Sequence, residues 1–168
     1  MSAIALRPAT PADAAAICLV YNQGIEDRIA TLETELRTPE ERRQWLAARG
    51  PKHPVYVAMA EGGREPTIVG WGSLNVYNPR PAYQYVADFS IYIERAWRGK
   101  GVGRRLLEHL IEQARALGYH KLMLSTFPFN ATGVALYERL GFTRVGVLHE
   151  MGQLDGRWVD TLIMEKLL

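Results

Sequence analysis

Apolar positions recur along the chain with two different periods, and these periods predict the order of helices and strands. The clearest helix runs from Arg104 to Leu117, where apolar residues return every three or four positions and Gly118 follows as a stop. Short alternating or continuous apolar runs predict strands at Ile4–Arg7, Val55–Ala58, Ile68–Val76, Tyr85–Ile93, Lys121–Ser125 and Phe142–Val147. The turn Asp155-Gly156 predicts that two last strands form a hairpin.

Capping residues place the remaining helices. A threonine followed by a proline and an early acid opens a helix near Pro11 and another at Pro39, which ends near Gly50. A short helix is predicted from Asn130 to Leu140, and residues 26–36 have no clear period. This order of elements predicts an α+β domain around one mixed sheet.

Composition narrows the class of protein. The chain has 168 residues, of which 48% are hydrophobic and 23% charged, so we expect residues 1–168 to form a single globular domain. A net charge of +2 gives no broad basic footprint for nucleic acid. Without a long apolar segment or a signal-like start, we expect a cytoplasmic protein with no membrane partner. The histidines lack metal-ligand spacing, so no metal is predicted.

Three alternating glycines, Gly99, Gly101 and Gly103, follow a predicted strand and open the clearest helix. Backbone N–H groups at such a helix start can converge on an anion. Basic residues surround this turn although the helix dipole favours acids there: Arg98, Lys100, Arg104 and Arg105. A bound multiply charged anion would explain this arrangement, and a solvated basic helix end is the alternative. The spacing fits neither a Rossmann fingerprint nor a Walker loop.

Two segments carry a resemblance to a known family. The run Arg98-x-x-Gly101-x-Gly103 is similar to the phosphate-binding signature of the GNAT superfamily of N-acetyltransferases, and residues 130–142 resemble that family's downstream cofactor motif. The resemblance implies a GNAT fold, with a mostly antiparallel sheet of about seven strands, about four helices and splayed central strands. It also implies acetyl-CoA as co-substrate, with cofactor contacts at Ile91, Tyr92, Ile93, Arg98, Gly99, Lys100, Gly101, Val102, Gly103, Arg104 and Asn130.

Three further segments, residues 21–28, 80–83 and 152–160, are similar to the phosphinothricin acetyltransferase branch, and most of all to arsinothricin N-acetyltransferases. The implied acceptor is a small glutamate-like amino acid, such as phosphinothricin, methionine sulfone, methionine sulfoximine or arsinothricin. The chain departs from phosphinothricin-specific enzymes at Val159, where most of them carry histidine, so the choice among these acceptors stays open. The branch also implies a homodimer.

Amide formation requires a base for the amine and an acid for the departing thiolate. We expect Asp88, at the position of the branch's central-strand glutamate, to be the base, directly or through a water. Its alternative role is a structural hydrogen-bond acceptor. By resemblance, Tyr137 would protonate the thiolate; alternatively it only packs beside its leucine neighbours.

Four residues are candidates for holding the acceptor. Arg80 could bind its carboxylate, Tyr77 and Tyr83 a phosphinate, sulfone or arsinate oxygen, and Glu26 its ammonium. A plain surface-loop role is the alternative for each. Two other functions remain open at this point: acetylation of a protein N-terminus or lysine, and non-catalytic binding of acyl-CoA.

Overall fold

The structure, a computed structural model, describes residues 3–168. Four α-helices lie within this range: α1 (Ala14–Glu26), α2 (Pro39–Ala47), α3 (Val102–Ala116) and α4 (Ala131–Arg139). The strands are β1 (Ile4–Pro8), β2 (Val55–Ala60), β3 (Thr67–Val76), β4 (Val86–Ile93), β5 (Lys121–Thr126), β6 (Thr143–Leu154) and β7 (Arg157–Leu167). Single 3₁₀ turns are found at Pro11–Asp13, Pro81–Tyr83 and Arg95–Trp97.

The seven strands form one sheet in the order β1-β2-β3-β4-β5-β7-β6. Every neighbouring pair is antiparallel except β4 and β5, which run parallel. The predicted α+β fold, with a mixed and mostly antiparallel sheet and four helices, is confirmed.

The parallel pair is short, and this creates the main irregularity of the sheet. Residues 86–88 of β4 pair with residues 121–123 of β5, and the pairing ends there. Beyond Asp88, β4 remains paired with β3 as far as Ile93, while β5 continues along β7. The two central strands therefore splay apart, as the family resemblance implied.

Two elements differ from the sequence-based expectation. The first α-helix begins at Ala14, because residues 11–13 form a 3₁₀ turn rather than its first α-helical turn. At the other end of the chain, the strand predicted at Phe142–Val147 and the first strand of the predicted Asp155-Gly156 hairpin form one strand, β6, with an irregular register. Long-range pairing with β7 carries β6 through positions that have no strong local strand signal.

The core lies on both faces of the sheet. Four fully or nearly fully buried residues of α3 (Leu106, Leu107, Leu110 and Ile111) belong to one apolar cluster with Ala87 and Phe89 of β4. On the opposite face, Ile17 and Val20 of α1 pack with Trp71 of β3. Since side chains alternate along a strand, Asp88, Ser90 and Tyr92 point to this second face. None of the helices in residues 3–168 has the length and apolar character needed to cross a membrane.

Candidate active site

A cavity of about 330 Å³ opens where β4 and β5 separate. Its walls come from the loop after α1, the splayed strands and α4: Ala30, Thr31, Leu32, Asp88, Phe89, Ser90, Ile91, Tyr92, Leu124, Ser125, Thr126, Phe127, Asn130, Tyr137 and Thr161. The fold thus brings together the two residues predicted to be catalytic, Asp88 and Tyr137, which are 49 positions apart in the sequence.

Asp88 lies at the last paired position before the strands diverge. Burial raises the pKa of this carboxyl to about 6, while hydrogen bonds from the Asn75 side chain and the Phe89 backbone N–H act in the opposite direction. Asn75 sits directly across the β3–β4 pair. A carboxylate with a pKa near neutrality can both hold and release a proton under physiological conditions.

Tyr137 reaches the cavity from α4. Its ring packs edge-on against Phe89 at 6.0 Å and against Phe142 at 6.2 Å between centroids. Burial raises the pKa of the Tyr137 phenol above its ordinary value. The hydroxyl is therefore protonated at neutral pH and can act as a hydrogen-bond or proton donor.

The glycine-rich run adopts the conformation that an anion site at a helix start requires. Gly99 and Gly101 both have positive φ, at 74° and 83°, and Gly101 is the N-cap of α3. No side chain caps this helix and its first turn contains no acid. Because the first N–H groups of an α-helix have no partner within the helix, they are available to an anion.

Arg98 stands beside this loop and is held by two contacts. Its Nε donates to the backbone oxygen of Ile93 at 3.3 Å, and its Nη1 donates to Asp27 at 2.5 Å. Asp27 also accepts from Arg95 at 2.8 Å. These hydrogen bonds lower the pKa of the Asp27 carboxyl, and the one from Arg95 has the largest effect. Sequence reasoning did not identify Asp27, which reaches the loop from the end of α1.

The other predicted cofactor residues divide between the cavity and the core. Ile91, Tyr92 and Asn130 line the cavity. Ile93 is not among the described lining residues, and both Ile91 and Ile93 pack against the core cluster of α3. The Asn130 side chain caps α4 by accepting from the Gly133 N–H at 3.2 Å, and it donates to Thr126. An extended edge of β4 that leads to a basic helix start fits a long ligand with a phosphate group at one end.

The four predicted acceptor-binding residues lie elsewhere. Glu26 forms an ion pair with Arg95 at 3.1 Å, beside the glycine loop, and so lies away from the cavity. The rings of Tyr77 and Tyr83 approach each other at 5.9 Å in the β3–β4 connection, where Arg80 is exposed. None of the four is among the described residues that line the cavity. The connection nevertheless joins the ends of β3 and β4 at which Asn75 and Asp88 pair.

Sequence reasoning missed Asn75 and Thr31. Thr31 lies on the loop after α1 and its side chain hydrogen-bonds with Tyr21 and Tyr92. For Asn75 a signal did exist, because Ser73 and Asn75 are polar positions on the inward face of an otherwise buried strand. In residues 3–168, no group of three or more histidine, cysteine, aspartate or glutamate side chains is arranged to hold a metal ion.

Comparisons with known proteins identify the relatives of this chain. The model of the family described as "Acetyltransferase (GNAT) family" matches residues 22–142. The chain is 32% identical to the L-methionine sulfoximine/L-methionine sulfone acetyltransferase of Pseudomonas aeruginosa over 161 residues, which cover 95% of this chain and 92% of that protein.

Two solved structures share the fold over nearly the whole chain. A phosphinothricin acetyltransferase from Sinorhizobium meliloti, in complex with acetyl-CoA, superposes with a TM-score of 0.91 at 28% identity, covering 100% of this chain and 89% of that one. A ribosomal-protein-alanine N-acetyltransferase from Brucella melitensis superposes with a TM-score of 0.90 at 36% identity, covering 98% and 99%. The first protein is named for the acetylation of a small molecule, phosphinothricin. The second is named for the acetylation of a ribosomal protein.

Proposed function

The chain belongs to the acetyltransferase (GNAT) family, and on this basis we propose that it acetylates the α-amino group of a small glutamate-like amino acid. It is an N-acetyltransferase whose co-substrate is acetyl-CoA. The acceptor class comprises phosphinothricin, methionine sulfone, methionine sulfoximine and arsinothricin. The observation that carries the proposal is that a partly buried carboxylate, Asp88, and a partly buried phenol, Tyr137, line the same cleft between splayed strands. We further propose that residues 1–168 act as one domain, since the described strands form one sheet.

The glycine loop and its basic residues serve as the cofactor end of the site in this proposal. The N–H groups that begin α3 and the Arg98 guanidinium stabilise the pyrophosphate of acetyl-CoA, and the exposed Arg104 adds positive charge. Lys100 lies over the Trp97 ring at 5.2 Å, at the same turn. The open edge of β4 at Ile91 and Tyr92 receives the extended arm.

At the other end of the cavity, Asp88 accepts a proton from the acceptor amine, which is nucleophilic only when neutral. Direct attack of the amine on the thioester requires no covalent nucleophile. The single cysteine, Cys18, is buried, and its Sγ lies 3.1 Å from the Arg37 backbone oxygen. The attack is direct, in a ternary complex.

Tyr137 donates a proton as the thiolate departs, and its raised pKa keeps that proton available at neutral pH. Tyr137→Phe tests this role. The variant should lose about tenfold or more in kcat while both Michaelis constants stay near the wild-type values. Undiminished turnover would reduce Tyr137 to a packing residue.

The acceptor's carboxylate is proposed to bind Arg80, with Tyr77 and Tyr83 beside it, because their loop begins at the Asp88 end of the sheet. Arg80→Ala should raise the Michaelis constant of the acceptor about tenfold or more, the usual loss for a charged hydrogen bond, and leave that of acetyl-CoA unchanged. Arg43→Ala, on the exposed face of α2, is the control. Equal effects from both variants would place the carboxylate elsewhere. Glu26, engaged by Arg95, is the weakest member of the proposed acceptor site.

Acetylation of a protein N-terminus is the second candidate, favoured by the 36% identity with the ribosomal-protein-alanine enzyme. Thiol release from acetyl-CoA should be measured with the four amino-acid analogues, ordinary amino acids and peptides with N-terminal alanine. Turnover with the analogues and not with peptides is the expected result. Turnover with peptides alone would reverse the assignment. The absence of thiol release with every one of these acceptors would leave a non-catalytic acyl-CoA-binding module.

The partner is proposed to be a second copy of the chain. At the edge of the sheet, β6 and β7 expose apolar side chains whose exposed fraction exceeds 40%: Val145, Val147, Leu148, Met151 and Trp158. Such a patch is typical of an interface. Light scattering after size exclusion should give twice the 18.9 kDa chain mass, and Trp158→Lys should shift it toward the monomer. A monomeric wild-type protein would contradict this.

A further inference from the structure

We propose that Arg49 is a positioning residue for the Asp88 carboxylate and acts through the side-chain amide of Asn75. The inference rests on the proposed role of Asp88 as the general base. The proposal gives a role to the charge of Arg49. This side chain is partly buried, and its hydrogen bonds go to uncharged oxygens rather than to a carboxylate.

Arg49 follows the end of α2 and reaches over the face of the sheet on which Asp88 lies. Its Nε donates to the His53 backbone oxygen at 2.7 Å, and its Nη2 donates to the Leu74 backbone oxygen and, at 2.9 Å, to Asn75 Oδ1. The guanidinium also stacks over the Trp45 ring at 4.4 Å. Burial lowers the pKa of Arg49 to about 10, so it still carries its charge at neutral pH.

The position of this guanidinium decides which way the Asn75 amide points. Asn75 Oδ1 also accepts from the Ser73 hydroxyl at 2.9 Å, and Nδ2 donates to the Ser90 hydroxyl at 3.1 Å. A hydroxyl can donate or accept, so both serines would tolerate a flipped amide. A guanidinium only donates, and Arg49 therefore requires Oδ1 on its own side.

With the amide held this way, its NH₂ group lies on the β4 side, where it donates to Ser90. Asp88 is the cross-strand neighbour of Asn75, and donation from the same NH₂ group favours the ionised carboxylate. Loss of Arg49 would allow the amide to turn its oxygen toward Asp88. That arrangement favours the protonated acid, which cannot act as a base. Arg49 thus maintains the reactive form of Asp88 without touching the reacting atoms.

The effect is transmitted by the amide rather than by competing charges. The described walls of the cavity contain no charged side chain other than Asp88 itself. The titratable groups that face this cavity are Tyr92 from β4 and Tyr137 from α4, and burial raises the pKa of both phenols, so both are neutral. From β3 the facing group is the neutral Asn75.

The decisive measurement is the titration of Asp88 itself, followed by NMR in full-length protein labelled with ¹³C at aspartate carboxyls and assigned with Asp88→Asn. In Arg49→Met the Asp88 midpoint should rise by about one pH unit, the size expected for loss of one hydrogen bond to the charged form. Arg49→Gln should give a rise of the same sign, because its amide can present either a donor or an acceptor. Arg49→Lys, which only donates, should stay within about 0.3 unit of the wild type.

Arg42→Met is the matched control, since Arg42 also stacks on Trp45, at 4.8 Å, but belongs to the body of α2. It should leave the Asp88 midpoint unchanged. Asn75→Leu should raise the midpoint as Arg49→Met does, and the double variant should add nothing further. A wild-type midpoint in either Arg49→Met or Arg49→Gln would overturn the proposal, whichever of the two folds.

Activity provides a separate readout. In Arg49→Met the acidic limb of the pH profile should move upward with the NMR midpoint, while the Michaelis constant for acetyl-CoA stays unchanged. A purely structural role would lower the amount of active enzyme without moving the limb. The NMR titration needs no acceptor, so a wild-type enzyme that ignored every amino-acid analogue would refute the proposed function and leave this inference to be judged by the titration alone.

Discussion

The carboxylate of Asp27 lies 2.5 Å from Nη1 of Arg98, and through this contact the end of α1 orients the arginine beside the glycine loop. A second hydrogen bond, from Arg98 Nε to the Ile93 backbone oxygen, fixes the guanidinium to the end of β4. Pre-organisation of this kind reduces the conformational entropy that a ligand must remove when it binds. Arg95 shares the same carboxylate but is half exposed.

Arg98→Ala should therefore weaken the use of acetyl-CoA. Loss of a charged hydrogen bond to phosphate costs about 1.5–3 kcal/mol, which predicts a rise of about 10- to 100-fold in the Michaelis constant for acetyl-CoA. Arg95→Ala, which removes the same charge from the same cluster, should change it by less than about threefold. Steady-state thiol release over a range of acetyl-CoA concentrations measures both. An equal rise in the Michaelis constant for acetyl-CoA in the two variants would assign the effect to net charge rather than to Arg98.

The rate should depend on pH through Asp88. Its pKa of about 6 means that the base is protonated below that pH. With acetyl-CoA saturating, kcat/KM for the acceptor should fall about tenfold per pH unit below pH 6, in addition to the decline due to the acceptor's own ammonium. In Asp88→Asn the rate should fall about 100-fold and the limb near pH 6 should disappear. A limb that survives this substitution would belong to another group.

The same raised pKa predicts a cost in stability. A carboxyl whose pKa is higher in the folded than in the unfolded state destabilises the fold once it ionises, so stability is lost as pH rises from about 4 through about 6. Asp88→Asn should thus increase the free energy of unfolding by about 1–3 kcal/mol at pH 8 and by little at pH 4. Urea unfolding at the two pH values tests this. If the free energy of unfolding of Asp88→Asn differed from that of the wild type by the same amount at both pH values, the difference would reflect packing.

The sequence was informative where the signal is local. The helix predicted at Arg104–Leu117 is found as Val102–Ala116, because its apolar stripe and the following glycine are read within a few turns. Asp88 and Tyr137 were identified by resemblance, and the fold brings both to one cavity.

Contacts that depend on packing could not be anticipated. Arg49 and Asp88 are related only through the β3–β4 register and the way the end of α2 crosses the sheet. Glu26, a candidate for the acceptor's ammonium, is the last residue of α1 and forms an ion pair with Arg95, a contact that its position in the sequence does not indicate. The long β6 is likewise determined by pairing with β7 rather than by its own residues.

The two glycines of the signature should respond oppositely to alanine. Gly101 has a φ of 83°, and alanine in this left-handed conformation costs about 1 kcal/mol or more. Gly103 lies inside α3, where an added Cβ would meet the nearest atom, in Leu136, at 3.7 Å, an ordinary contact. Gly103→Ala should therefore stabilise the protein by about 0.5–1 kcal/mol through helix propensity.

Thermal unfolding and the Michaelis constant for acetyl-CoA separate the two effects of Gly101. Gly101→Ala should lower the melting temperature and also raise this constant, because the N–H groups at the start of α3 move. Gly62→Ala is the control: it has a φ of 114° in the β2–β3 turn with no atom near an added Cβ, so it should lower stability alone. If Gly101→Ala lost stability but bound acetyl-CoA as the wild type does, its conformation would serve the turn and not the anion.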